Sequence, residues 1–220
     1  MRDYFNKCKW TMLTTSLLIL LPIVAGVILW DKLPEKIPCH WGINGEVDGW
    51  ASKPMGVFLL PCILLGVQWL CFLATGLDPK HRNIPPKVMG IVLSIIPSLN
   101  LVLHVLVYLY AFDYKVDVAV TLSVLFGVMF VIIGNYLPKC KQSYTLGIKL
   151  PWTLDSEANW NATHRFGGKV WVTGGILTML TSLFGNFWIL LVILVVMVIV
   201  PTVYSYLYYR NHEKEQPDGE

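Results

Sequence analysis

The stretch GIKLPWTLDSEANWNATHRFGGKV, Gly147–Val170, decides how this chain is read. It gathers Asp155, Glu157, Asn159, Asn161, His164 and Arg165, with Trp152, Trp160 and Trp171 in or beside it, and apolar blocks flank it on both sides. A run this polar in such a setting is hard to explain as a spacer. It is the first place to look for function.

Outward from that run the chain is mostly membrane in character. Of 220 residues, 55% are apolar and 14% charged, with a mean hydropathy of +0.57. A soluble domain carries about 25% charged residues, so composition points to the membrane class. Apolar blocks at Thr11–Trp30, Met55–Leu77, Val88–Phe112, Val118–Leu137, Val170–Phe184 and Phe187–Tyr209 predict an all-α protein of six transmembrane helices in a single domain, 1–220. The fifth block is short: at 1.5 Å per residue it covers roughly 22 Å, so its helix starts earlier or the bilayer thins around it.

Charge orients the spans. With the N-terminus inside, only Lys32, Lys36, Lys53 and Lys115 of the 17 basic residues fall outside. That bias predicts N-in and C-in. Arg2, Lys7 and Lys9 imitate the start of a signal peptide, but the following run ends at Trp30-Asp31 without a small-residue cleavage site, so an uncleaved first helix is expected. The net charge of +3 then reflects topology and implies no direct contact with nucleic acid. Cys8, Cys39, Cys62, Cys71 and Cys140 show no metal-ligand spacing, and neither metal nor cofactor is expected.

Two polar loops stand out. The outside loop, 31–54, holds His40, Trp41, Gly45, Glu46, Asp48 and Lys53. Asn44-Gly45 is a hairpin turn signal, so a small β-ribbon is expected there, packed on helix ends. Its acidic and aromatic residues suit the binding of an extracellular peptide. The competing readings are a structural cap and, with His40 beside Glu46 and Asp48, acid–base chemistry.

The inside loop, 138–169, contains the opening run. Ser156–Phe166 has the grammar of a short helix. Asp155 or Ser156 caps it, Glu157 suits its positive end, His164 and Arg165 suit its negative end, and Gly167-Gly168 stops it. Trp160, Thr163, His164 and Gly167 share one side, which can lie on the membrane surface with the tryptophans as headgroup anchors. Pro151 fixes an extended approach to Trp152. Docking of a protein is the natural use of such a surface; a catalytic group of Glu157, His164 and Arg165 is the alternative. Gly185-Asn186 predicts a tight hairpin between the last two spans.

Within the spans, Asn100 and His104 lie four apart on one helix face behind Pro97. They can line a path for a small solute, or simply hydrogen-bond between helices. No span carries a carboxylate near its middle for a proton relay.

Both loops resemble the signatures of the SdpI-type bacterial membrane proteins. Residues 37–53, IPCHWGINGEVDGWASK, are similar to the pattern IPxHWxxxGxxDxxxxK. The internal run is similar to GIRxPWTLxSExxWxxTHRxxGK, with Lys149 where arginine is common. The resemblance covers essentially the whole chain. It implies a multi-pass protein of the bacterial cytoplasmic membrane that protects the cell from a secreted, cannibalism-type antimicrobial peptide. It further implies relay of the toxin's presence to a cytosolic autorepressor, an ArsR-like protein held at the membrane. Carried over by position, His40, Trp41, Gly45, Asp48 and Lys53 belong to the external, toxin-facing signature. Pro151, Trp152, Ser156, Glu157, Trp160, Thr163, His164, Arg165, Gly168 and Lys169 belong to the cytoplasmic, signalling one. A membrane-embedded enzyme built on the loop His and Glu residues, and a small-solute transporter, stand as alternatives. The charged tail, Arg210–Glu220, falls outside both signatures.

Overall fold

A computed structural model describes residues 2–42, 45–184 and 187–212. The turn at Asn44, the Gly185-Asn186 hairpin and the tail beyond His212 therefore lie outside the described residues. The chain is mostly helical. Its elements are α1 (Arg2–Ile28), β1 (Lys36–Trp41), β2 (Val47–Ser52), a wide turn at Met55–Leu59 leading into α2 (Leu60–Leu77), α3 (Pro86–Ala111), α4 (Val118–Tyr136), α5 (Pro151–Asp155), α6 (Glu157–Thr181) and α7 (Phe187–His212). Among the described residues, five helices are long and apolar enough to cross a membrane: Phe5–Ile28, Met55–Leu77, Pro86–Ala111, Val118–Lys139 and Trp188–His212. Five of the six expected blocks overlap these helices, the first of them beginning earlier than Thr11, while the expected span Val170–Phe184 is not among them and falls mostly in the second half of α6.

The chain divides into two compact units, Met1–Gly76 with Met89–Thr121, and Leu77–Val88 with Leu122–Glu220. In the first, β1 and β2 pair antiparallel, Ile37 opposite Ala51 and Trp41 opposite Val47, with an irregular register between Pro38 and Trp41. Two strands alone are marginal. This ribbon is held by Ile37, fully buried with Leu33, Val57 and Tyr108 against Leu29, Trp30 and Phe112. The Tyr108 hydroxyl donates to the Pro22 carbonyl (2.8 Å), and the Asn100 amide donates to the Ile19 carbonyl (2.9 Å), joining α1 to α3.

In the second unit α6 is one continuous helix of 25 residues. The expected break does not occur: Gly167-Gly168 stop nothing, and the short helix foreseen at Ser156–Phe166 is the first half of α6. His164 and Arg165 are accordingly mid-helix rather than at a helix end. The short separate helix is α5. The glycines serve close packing instead. A Cβ on Gly168 would stand 2.7 Å from the Gly134 carbonyl oxygen, and one on Gly134 2.8 Å from that of Gly168. Gly127 and Gly175 repeat the arrangement two turns away. Backbone-to-backbone approach of this kind is how helices associate where no hydrophobic force acts between them. On its other side α6 runs antiparallel to α7: Asn159 meets Ser205, Gly167 meets Pro201 and Gly174 meets Met197.

Candidate functional site

The second signature, 147–169, folds into a buried polar cluster built on the first three turns of α6. Ser156 caps the helix by accepting from the Asn159 amide (3.1 Å). The Asn159 side chain, fully buried, donates to the Ser205 carbonyl (3.2 Å), and its oxygen accepts from Thr163 (2.9 Å) and from the Ser205 hydroxyl (3.1 Å). Trp152 reaches the same Ser205 hydroxyl with its indole N–H (2.7 Å). One serine on α7 thus ties α5 and α6 together.

Trp160 is fully buried; its indole donates to the Cys140 carbonyl (2.7 Å) and its ring stacks on His164 with centroids 4.0 Å apart. The Ile148 backbone N–H donates to His164 Nε2 (2.9 Å), which makes that nitrogen the acceptor. Nδ1 must then carry the proton that it shares with the Trp160 carbonyl (2.8 Å). Burial pushes the imidazole down from 6.5 to about 4, against the opposing pull of that carbonyl. A neutral ring with both nitrogens engaged is a structural part, badly placed to move protons. Gly147, at φ +117, lies so close that a Cβ would run into the His164 and Trp160 rings.

These positions correct the expected membrane-surface face. Trp160, Thr163, His164 and Gly167 turn into the protein, and Trp160 anchors nothing in the headgroups. Glu157, Arg165 and Lys169 point outward, and no hydrogen bond or ion pair joins Glu157 or Arg165 to His164 among the described residues. The three-residue catalytic group is not assembled. Leu150 is extended, as expected ahead of Pro151, and Gly168 sits at the close crossing with α4.

Sequence reasoning missed the second half of this cluster. Asp78, just past α2, is buried, and among the described residues no ion pair reaches it. Its Oδ2 accepts from the Ser143 hydroxyl (2.8 Å), the Tyr144 and Thr145 amides (2.9 and 3.0 Å) and the Thr145 hydroxyl (2.9 Å); its Oδ1 accepts from the Lys80 amide (2.7 Å). Burial favours the protonated acid, but these donors outweigh it and hold the carboxyl below its ordinary range. Gln142 completes the latch. It donates to the Thr153 and Leu154 carbonyls (2.9 and 2.7 Å) and accepts from the Lys80 ammonium (2.5 Å). The one available signal was an aspartate immediately after an apolar span.

The first signature, 37–53, has the opposite character. His40 Nδ1 and Asp48 Oδ1 meet at 2.5 Å across the ribbon, with side chains 70% and 54% exposed. Glu46 is exposed and joins neither; its carbonyl accepts from the Gly42 amide (2.8 Å) in the turn, where Gly45 takes φ +79. Trp41 packs edge-on against Tyr110, and Gly49 lies against His40, leaving no room for a side chain. Lys53 is buried beneath the ribbon, paired with Glu35 (2.9 Å), over the Trp30 ring and bonded to the Trp30 carbonyl (3.3 Å). In α3, His104 bonds the Asn100 carbonyl (3.0 Å), and both side chains are buried.

The comparisons fall on these same two places. The model of the SdpI/YfhL protein family matches residues 139–205, from the latch through α6 and most of α7. A domain of unknown function (DUF1648) matches residues 17–65, which hold the ribbon. The immunity protein SdpI of Bacillus subtilis (strain 168) is 26% identical over 202 residues, covering 88% of this chain and 93% of that one. The chain is similar to the SdpI-type proteins in both signature regions. Its five long apolar helices fit a multi-pass protein of the bacterial membrane. An uncharacterized protein of Archaeoglobus fulgidus is 30% identical over 91 residues, 36% of this chain and 50% of that one. No solved structure matches.

Proposed function

We propose that this chain is a toxin-immunity membrane protein: the exposed ribbon meets a secreted antimicrobial peptide, and the buried cytoplasmic cluster relays its presence to an ArsR-like repressor. The observation that carries the reading is the likeness to an immunity protein along 88% of the chain, taking in both signatures. Six crossings with both termini inside go with it. Because α6 lies antiparallel along α7, its apolar half, from Val170 onward, covers the same depth as the span of α7. The basic residues then gather on the inner side.

For a relay, the toxin must bind two arrangements of the protein unequally. The engaged nitrogens of His164 speak against its use as an acid or base, so an enzymatic reading has little support from this site. The test is expression in a cell sensitive to a hydrophobic peptide toxin. Survival of that cell, lost on His40→Ala, is the expected result; killing equal to the empty-vector control sinks the reading for that toxin. For the relay, a fluorescent ArsR-like repressor should move to the membrane only when toxin is present.

A further inference from the structure

We propose that an open groove between α6 and α7 binds the phosphate of an anionic phospholipid headgroup, with Arg165 and Lys169 as its cationic ligands. The groove has a volume of about 450 Å³ and is lined by Asn161, Ala162, Arg165, Lys169, Tyr204 and Tyr208. Asn161, Arg165 and Lys169 follow one another at helical spacing on one face of α6, all exposed. Neither cation has a carboxylate within ion-pair distance among the described residues, whose ion pairs are those of His40 with Asp48 and Lys53 with Glu35. Two free cations and a side-chain amide facing one cavity make an anion site. Arginine offers a planar fork to phosphate oxygens and lysine a point charge.

Depth selects the source of the anion. Lys169 is the last charged residue before the apolar half of α6 begins at Val170. Opposite it, the apolar run of α7 gives way to Tyr204, Tyr206, Tyr208 and Tyr209. Tyrosines concentrate at the level of the headgroups. Tyr204 stacks on Phe166 (4.3 Å) and Tyr208 on His212 (4.4 Å), so an aromatic column forms one wall of the groove at that level. Basic pockets between membrane helices at this depth are recognised settings for acidic lipid headgroups. The inference depends only on α7 spanning the bilayer and stands whether or not the chain confers immunity.

The test uses the full chain purified in detergent and native mass spectrometry with added phosphatidylglycerol or phosphatidylcholine. Phosphatidylglycerol should be retained several-fold better than phosphatidylcholine. That preference should vanish in an Arg165→Gln/Lys169→Gln variant and persist in Lys32→Gln/Lys115→Gln, which loses the same charge at exposed sites elsewhere. Thermal midpoints of both variants should match the parent, since all four side chains are exposed. Equal retention of the two lipids, or full retention by the Arg165/Lys169 variant, overturns the proposal. So does displacement by millimolar sn-glycerol 3-phosphate as effective as by the lipid, which would make this a site for soluble anions. Selective binding only in a chain cut after His212 overturns it too, because the acidic segment 213–220 would then be the occupant.

Discussion

The two signature regions of this protein use the same residue types to opposite ends. Around the ribbon, His40 and Asp48 pair in solvent and Glu46 joins neither of them. Around α6, His164, Asn159, Thr163 and Asp78 are buried with their polar atoms engaged, largely by neutral partners. A histidine in solvent can meet a ligand at little cost. A buried histidine stacked on Trp160 cannot do so unless the cluster opens. The ribbon is therefore suited to first contact, and the α6 cluster to holding a state that can be lost. The variants below pull that contrast apart, beginning with the largest effect on stability.

Trp160→Ala should destabilise the fold most. It empties the largest fully buried side chain, removes the bond to the Cys140 carbonyl and takes away the ring beneath His164. Truncations of this size cost about 3–5 kcal/mol. The thermal midpoint in detergent should fall sharply; an unchanged midpoint would mean that the cluster does not hold the inner region together.

Asp78→Ala comes next. It removes an acceptor shared by the Ser143 and Thr145 hydroxyls and the Tyr144, Thr145 and Lys80 amides, for an expected loss of about 2–3 kcal/mol. The effect should be local. Amide exchange should quicken over 138–149 while α1 and α3 keep their protection; uniform quickening along the chain would contradict the latch.

Acid should open the same cluster. His164 is neutral when folded, with its pKa lowered from 6.5 to about 4, so between those values an opened form takes up a proton that the folded one refuses. Stability thus falls with pH over that window, by up to about tenfold in the opening equilibrium per unit. Asp78 acts in the same direction: its lowered pKa contributes stability at neutral pH that is lost as pH drops through the folded value. Exchange of the Ile148 amide, corrected for intrinsic rate, should accelerate from pH 7 to pH 4.5 and do so less steeply in His164→Gln. A flat profile would show that the buried ring is not what closes the cluster.

Much of this was legible from residue type alone, and what was not has a physical reason. Five spans follow from runs that nothing but a bilayer or a large core can bury, and the two strands were expected on either side of the Asn44-Gly45 turn signal. Gly167-Gly168 misled because glycine past a helix end and glycine at a helix crossing look identical in one dimension; the Gly134 carbonyl that decides between them is far away in sequence. Trp160 misled for a related reason. An amphipathic ring near a membrane suits the headgroups, and only the approach of Cys140 and Gly147 shows it buried. Asp78 gave the weakest signal because all its side-chain partners lie beyond α4, at Ser143 and Thr145.

The smallest stability effect carries the sharpest functional one. The His40–Asp48 pair is exposed, and such pairs contribute about 0–1 kcal/mol. His40→Ala should therefore leave the thermal midpoint within error of the parent. Lys53→Ala should not, because it leaves Glu35 unpaired, vacates the space over Trp30 and removes the bond to the Trp30 carbonyl. If the ribbon is the contact surface for a peptide toxin, His40→Ala should still abolish protection of a sensitive cell. Protection retained by His40→Ala and by Asp48→Ala, with both proteins folded and at normal level in the membrane, would move first contact away from this pair. The contrast between an exposed contact region and a buried holding region would then have to be redrawn.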